Sequence, residues 1–256
     1  MSNLHYTEKG SGLPLVLLHG FPVDSRMWNN QIDALSDRYR VIAIDLPGFG
    51  QSPPISDFTV DTAAAAVHDL LKKIHALPCA LAGLSMGGYI AMAFYQHCPS
   101  EVAALLLIDT RATGDTAEGK KKRTELINKV DQCGPCAVVD FMMPKVLSDQ
   151  TVAAQPKVVD AVRKMMENCP PQTMKQALAA LRDRPDRTEL LASIAEPVLI
   201  VVGACDAITP PDDARQMQRS IPHAHLAIIP DAGHFSPLEN PAAVNTAIAE
   251  FLAALK

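Results

Sequence analysis

Apolar residues along the chain alternate between two patterns. Four short runs, Leu15-Val16-Leu17-Leu18, Val41-Ile42-Ala43-Ile44, Cys79-Ala80-Leu81-Ala82 and Ala103-Ala104-Leu105-Leu106-Leu107-Ile108, contain no polar position. Uninterrupted runs of this length read as strands buried on both faces, as in a parallel sheet. Between them the apolar positions recur at helical spacing. Residues 24–38 bring Met27, Trp28, Ile32 and Leu35 together after Asp24 as a cap. Residues 61–75 place Val67, Leu70, Leu71 and Ile74 at i, i+3, i+4 and i+7. Strand and helix therefore alternate through the first 110 residues, which predicts an α/β fold: a parallel sheet flanked by helices.

Residues 111–193 break this rhythm, with helical spacings and no strand-like run. Over Pro156–Asn168, Val158, Val159, Val162, Met165 and Met166 share a face and Pro156 suits a first helical turn. The sheet resumes with Pro197-Val198-Leu199-Ile200-Val201-Val202, a helix near 211–220, a last strand over Ala224–Ile229 and a closing helix over 241–255. Residues 3–13, polar with Gly10 and Gly12, suggest a short hairpin leading into the sheet. The expected organisation is one domain, with a core of about 1–110 and 194–256 and an all-helical insertion at about 111–193.

Composition narrows the function classes. Hydrophobic residues are 48% of the chain and charged residues 20%, ordinary for a soluble globular protein. A net charge of -5 without a basic block gives no electrostatic support for nucleic-acid or membrane-surface binding. The amino terminus lacks a basic-then-apolar signal pattern and no apolar stretch is long enough to span a bilayer, so the expected compartment is the cytoplasm. Of six cysteines, only Cys133-Gly134-Pro135-Cys136 has redox-motif spacing. The residues before it are helical rather than strand-like, so the preferred reading is a Gly-Pro break between two helices. No Cys/His grouping has structural zinc spacing, and no metal or organic cofactor is expected.

The candidate chemistry centres on Gly83-Leu84-Ser85-Met86-Gly87-Gly88, set between an apolar strand and a helical segment. Gly-x-Ser-x-Gly in that context is a nucleophile elbow, which exposes the serine at the carboxyl edge of a sheet. A serine hydroxyl needs a base, usually a histidine oriented by a carboxylate. Of the eight histidines, His234 alone follows the last strand; His5, His68, His75 and His97 look like surface residues, and His223 and His225 lie at that strand's wrong end. Asp206 and Asp109 both follow strands and both fit the chain order Ser, Asp, His. Asp206 is preferred because the small residues of Gly203-Ala204-Cys205-Asp206 leave its side chain free to turn, whereas Asp109 precedes Thr110-Arg111 and has a capping or ion-pair role open to it. Asp45, before Pro47-Gly48-Phe49-Gly50, reads as a turn-closing residue. An oxyanion needs preset donors; the candidates are the backbone N–H groups of Met86 and Phe21, Pro22 having none. His19 reads as a hydrogen-bonded structural residue.

His19-Gly20-Phe21-Pro22, Asp45-Leu46-Pro47-Gly48-Phe49-Gly50-Gln51-Ser52, the Ser85 motif, Gly203-Ala204-Cys205-Asp206 and Asp231-Ala232-Gly233-His234 together resemble the motifs of the α/β-hydrolase superfamily across essentially the whole core. Within it the chain looks like bacterial carboxylesterases and β-ketoadipate enol-lactonases. A serine nucleophile argues against the haloalkane dehalogenase and epoxide hydrolase members, which use aspartate there. The resemblance implies that the helical insertion is a cap and that a small-molecule carboxylic ester is hydrolysed through an acyl-enzyme on Ser85. A lactone hydrolase with the same triad, or a triad-bearing receptor with little turnover, are the alternatives. Met142, Met143, Met165 and Met166 are expected mainly in the cap core, some of them lining an acyl pocket.

Overall fold

The apolar runs do become strands, and their alternation divides the core into two layers. Seven strands form one sheet: β1 (Tyr6–Lys9), β2 (Pro14–Leu18), β3 (Arg40–Ile44), β4 (Cys79–Leu84), β5 (Val102–Ile108), β6 (Val198–Gly203) and β7 (His225–Ile229). They lie in the order β1-β3-β2-β4-β5-β6-β7 in a computed structural model that describes residues 3–255. Because successive side chains of a strand point to opposite faces, Val16, Leu18, Ile42, Ile44, Leu105 and Leu107 pack in one apolar layer. Leu15, Leu17, Val41, Ala43, Ala104 and Leu106 pack in the other.

Helices α1 (Asn29–Leu35), α2 (Val60–Lys73) and α3 (Met86–His97) follow β2, β3 and the elbow. The 24–38 segment is split, with a 3-10 turn over Ser25–Trp28 capped by Asp24 before α1. Thr59 and Thr62 form a reciprocal capping box at the start of α2, and Lys72 and Lys73 complement the dipole at its end. Helix α3 buries every residue from Met86 to Tyr95, which explains its lack of a polar face.

Between β5 and β6 run α4 (Ala117–Cys133), α5 (Cys136–Val146), α6 (Asp149–Ala154), α7 (Pro156–Glu167), α8 (Pro171–Asp183) and α9 (Thr188–Leu191). The chain closes with α10 (Pro211–Ser220), α11 (Ser236–Glu239) and α12 (Pro241–Ala253). Cys133 ends α4 and Cys136 begins α5, both thiols free and exposed, with Gly134 at φ 76° making the break. Among the described residues no helix is long and apolar enough to cross a membrane.

The amino-terminal hairpin expected from residues 3–13 does not form. Strand β1 pairs antiparallel with β3, Tyr6 opposite Ile44, while β2 pairs parallel with β3 and β4. The turn around Gly10 and Gly12 carries the chain across β3 instead of folding it back on its neighbour. All other pairings are parallel, so the carboxyl ends of β2 to β7 share one edge.

Candidate active site

Strand β4 ends at Leu84 and α3 begins at Met86, so Ser85 alone carries the reversal. It does so at φ 53°, ψ -111°, a conformation that costs a non-glycine residue about 1–3 kcal/mol. Its backbone is held from several sides. Ser85 N–H donates to Ile108 O at 2.9 Å, and Ser85 O accepts from Gly88 N–H at 2.9 Å and from the Thr110 hydroxyl at 2.9 Å. The flanking glycines are needed for space: a Cβ on Gly83 would lie 2.1 Å from Gly87 O, and one on Gly87 2.2 Å from Leu18 O.

The loop after β7 brings His234 to the serine, with Nε2 2.9 Å from Ser85 Oγ. Its Nδ1 lies 2.8 Å from Asp206 Oδ2. A carboxylate only accepts, so Nδ1 carries the proton and Nε2 is left as the acceptor for the serine hydroxyl. His234 N–H donates to Val146 O at 3.1 Å, which ties the His234 loop to α5 of the insertion. His234 and Asp206 are both buried; Ser85 is half-buried.

Asp206 is fixed by its own turn. Its Oδ1 accepts from Ile208 N–H at 2.8 Å and Thr209 N–H at 3.0 Å, and its Oδ2 accepts from the Thr209 hydroxyl at 2.7 Å. Burial alone would raise its pKa. The charge and hydrogen bond of His234, with the Thr209 donors, outweigh burial and hold the carboxyl below its ordinary range.

Asp109 has a different task from the ion-pair or capping role open to it in sequence. It is fully buried and links three segments: Oδ1 accepts from Gly203 N–H at 2.8 Å, and Oδ2 from Ser236 N–H at 3.1 Å and the Ser236 hydroxyl at 2.6 Å. It thus joins β5 to β6 and to the segment just past His234. Burial and then the neighbouring Asp206 carboxylate push its pKa well above the ordinary range, despite those hydrogen bonds. Two carboxyls at one sheet edge are driven apart, and the one kept charged is the one that faces the histidine.

The remaining candidates fall around this centre. Met86 heads α3, where helix geometry leaves the first amides without intrahelical acceptors. Phe21 follows Gly20, whose ideal Cβ position is 3.5 Å from Ser85 Cβ, so the β2 loop passes directly beside Ser85. Among the described residues neither the Phe21 nor the Met86 N–H has a backbone acceptor. His19 is buried, donating from Nδ1 to Gly20 O at 2.8 Å and accepting at Nε2 from Leu46 N–H at 3.0 Å. Burial, partly opposed by the bond to Gly20 O, lowers its pKa, as suits a neutral structural ring. Asp45 accepts from Ser25 N–H and Gln51 N–H at 2.9 Å each and closes its loop.

Three contributors were missed in sequence. Thr209 touches both Asp206 and His234 Nδ1, the latter at 3.2 Å; the signal was a hydroxyl three residues after a turn aspartate. Glu239 accepts from Ser148 N–H at 2.7 Å and Phe235 N–H at 3.1 Å, clamping the insertion to the His234 loop. Ser236 anchors Asp109. Nothing local in the sequence marks the last two.

A cavity of about 330 Å³ is walled on the core side by Phe21 of the β2 loop and by Ala207 and Ile208 of the Asp206 turn, and on the insertion side by Leu126, Phe141, Met142 and Leu178. Met142 lines it, whereas Met143, Met165 and Met166 are buried in the core. A second cavity of about 280 Å³ lies between Asp45 and Cys169, and neither cavity has Ser85, Asp206 or His234 in its wall. Among the described residues, His68, Cys98 and Glu101 have ligand atoms within 4.8 Å of one another. They sit at the far end of α3 from Ser85, and His68 and Glu101 already hydrogen-bond each other.

The arrangement has clear relatives. An esterase from Thermogutta terrifontis superposes with a TM-score of 0.96 at 38% identity, covering 98% of this chain and 93% of that one. A Mycobacterium tuberculosis protein that carries the name non-heme bromoperoxidase BpoC is 31% identical over all of both chains. The 3-oxoadipate enol-lactonase 1 of Acinetobacter baylyi is 28% identical over 89% of this chain and 84% of its own. With residues 15–247 matching the model of the alpha/beta hydrolase family, and with these relatives spanning nearly its full length, the chain belongs to that family.

Proposed function

We propose that the protein is a serine hydrolase that cleaves a small or medium carboxylic ester through an acyl-enzyme on Ser85. The observation that carries the reading is the unbroken hydrogen-bond chain from Ser85 Oγ through His234 to Asp206, at 2.9 and 2.8 Å. In the proposed cycle Ser85 Oγ attacks the ester carbonyl while His234 Nε2 takes its proton. Met86 and Phe21 N–H groups hold the oxyanion. Collapse expels the alcohol, which receives the proton from His234. Water, activated by the same nitrogen, then releases the acid and restores the serine. Asp206 keeps the ring oriented and stabilises the imidazolium. The helices between β5 and β6 act as a cap that shapes the acyl site. Lactone opening requires the same steps, and the likeness to an enol-lactonase supports keeping it beside ester cleavage.

The test is a panel of nitrophenyl esters of increasing acyl length. Steady turnover that disappears in Ser85→Ala supports the enzyme, and its length dependence reports the acyl site. A single stoichiometric release with no steady state would favour a receptor.

A further inference from the structure

The cavity walled by Phe21 and Ile208 differs in charge from the rest of the molecule. The chain carries a net charge of -5. Yet the cavity wall bears Arg111, Lys122, Arg123 and Lys145 against the single carboxylate of Asp115. The ion pairs do not cancel this. Asp115 is shared between Arg123 and Arg184, leaving one positive charge over in that group. Lys122 pairs with Glu118 across an exposed turn, a contact worth little in water. Lys145 lies 3.6 Å from the centroid of the Phe141 ring and, among the described residues, has no ion pair. Arg111 reaches Asp213 only at 3.4 Å, and its buried Nε has no partner.

Position links this charge to the reaction centre. Arg111 directly follows Thr110, whose hydroxyl donates to Ser85 O. Phe21 and Ile208, beside the candidate oxyanion amide and the Asp206 turn, form the inner wall of the same cavity. Low-dielectric walls lined by one sign of charge concentrate the field inside a cleft. The Arg111 side chain is still about a third exposed, and a guanidinium in a cavity wall is suited to a carboxylate, which it binds in a planar, directed way.

We propose that this cavity is a subsite for a carboxylate on the substrate, bound by Arg111 with Lys145 at the mouth. The preferred substrate is then an acidic ester: a half-ester of a dicarboxylic acid, or an ester of a hydroxy acid. The inference rests on the hydrolase reading above and adds the substrate's charge to it.

The test compares neutral and acidic isosteres by proton release. Monomethyl adipate against methyl hexanoate places the carboxylate on the acyl side. 4-Acetoxybutanoate against butyl acetate places it on the alcohol side. At least one acidic ester is expected to exceed its isostere in kcat/KM by about tenfold. Arg111→Gln and the exposed Lys145→Gln should each reduce that ratio several-fold, and Lys145→Glu should reduce it further. Lys157→Gln, an exposed lysine on α7, should leave it unchanged. Ratios at or below one in both arms, with neutral turnover abolished by Ser85→Ala, would overturn the acidic subsite and leave the hydrolase standing. A ratio indifferent to Lys145→Glu and Arg111→Gln would overturn it too. Absence of turnover on all four esters, with no acylation of Ser85 by nitrophenyl acetate, would remove the hydrolase reading and this inference with it.

Discussion

Asp206 and Asp109 stand at the same sheet edge with opposite tasks, and substitution separates them. Asp206 faces His234 and is held charged, so Asp206→Asn presents the wrong hydrogen-bond pattern to Nδ1 and should lower kcat by about 10⁴. Asp109 makes its hydrogen bonds to Gly203 and Ser236 and, among the described residues, none to a triad atom; Asp109→Asn should keep kcat within about tenfold and lower the melting temperature instead. A reversed ranking in two folded variants would move the orienting role to Asp109. Their pKa directions also predict opposite pH effects on stability. Asp109 is raised in the folded state, so between its unfolded value of about 3.9 and its folded one the native protein holds the extra proton, and stability falls as pH rises. The melting-point advantage of the parent over Asp109→Asn should therefore shrink from pH 4 to pH 8. Asp206 is depressed, so its contribution is present above the unfolded value and is lost as pH falls toward the folded one. The meeting of Ser85 and His234 could be anticipated because elbow and strand-end positions are local signals. Sequence did not show the different surroundings of the two aspartates, since Thr209 and Ser236 meet them only when the loops close.

At the scale of elements, the insertion and the His234 loop are joined through few groups. Glu239 accepts two buried N–H groups, Ser148 from the insertion and Phe235 from beside the base. Glu239→Ala leaves both unsatisfied, at about 1–3 kcal/mol each. Denaturant midpoints should fall accordingly, and kcat should drop more than the stability loss explains, because His234 N–H also hangs on Val146 O. An unchanged kcat in the folded variant would show that the clamp does not position the base. The break between α4 and α5 is the contrasting case. Cys133 and Cys136 are exposed, and Cys136 Sγ points at Cys133 O, 2.8 Å away. Replacing both with serine should leave ester turnover within a few-fold of the parent; loss of several orders of magnitude would restore a role for the pair. Strands buried on both faces were legible because their burial removes every polar position. β1 was misplaced because Tyr6–Lys9 is a short, mostly exposed strand, and its partner depends on the loop's path rather than on its side chains.

Across the whole molecule, the parallel sheet gathers loops from β2, β4, β5, β6 and β7 at one edge, where ligand sites of open α/β sheets form. The sequence order of strands and helices was enough to place that edge. The cavity was not legible, because Arg111, Lys122, Arg123 and Lys145 are separated by up to a helix and meet only when α4 and α5 fold over the core. Acyl transfer to Ser85 is the step on which the proposed activity depends above all. Its most direct measurement is rapid acid quenching of the protein with nitrophenyl acetate, followed by peptide mass analysis. The expected result is an acetyl group on Ser85 that forms and decays at rates matching steady-state turnover, and that is absent in Ser85→Ala. Undiminished turnover in folded Ser85→Ala, or an acetyl group carried by another residue at catalytic rates, would contradict it.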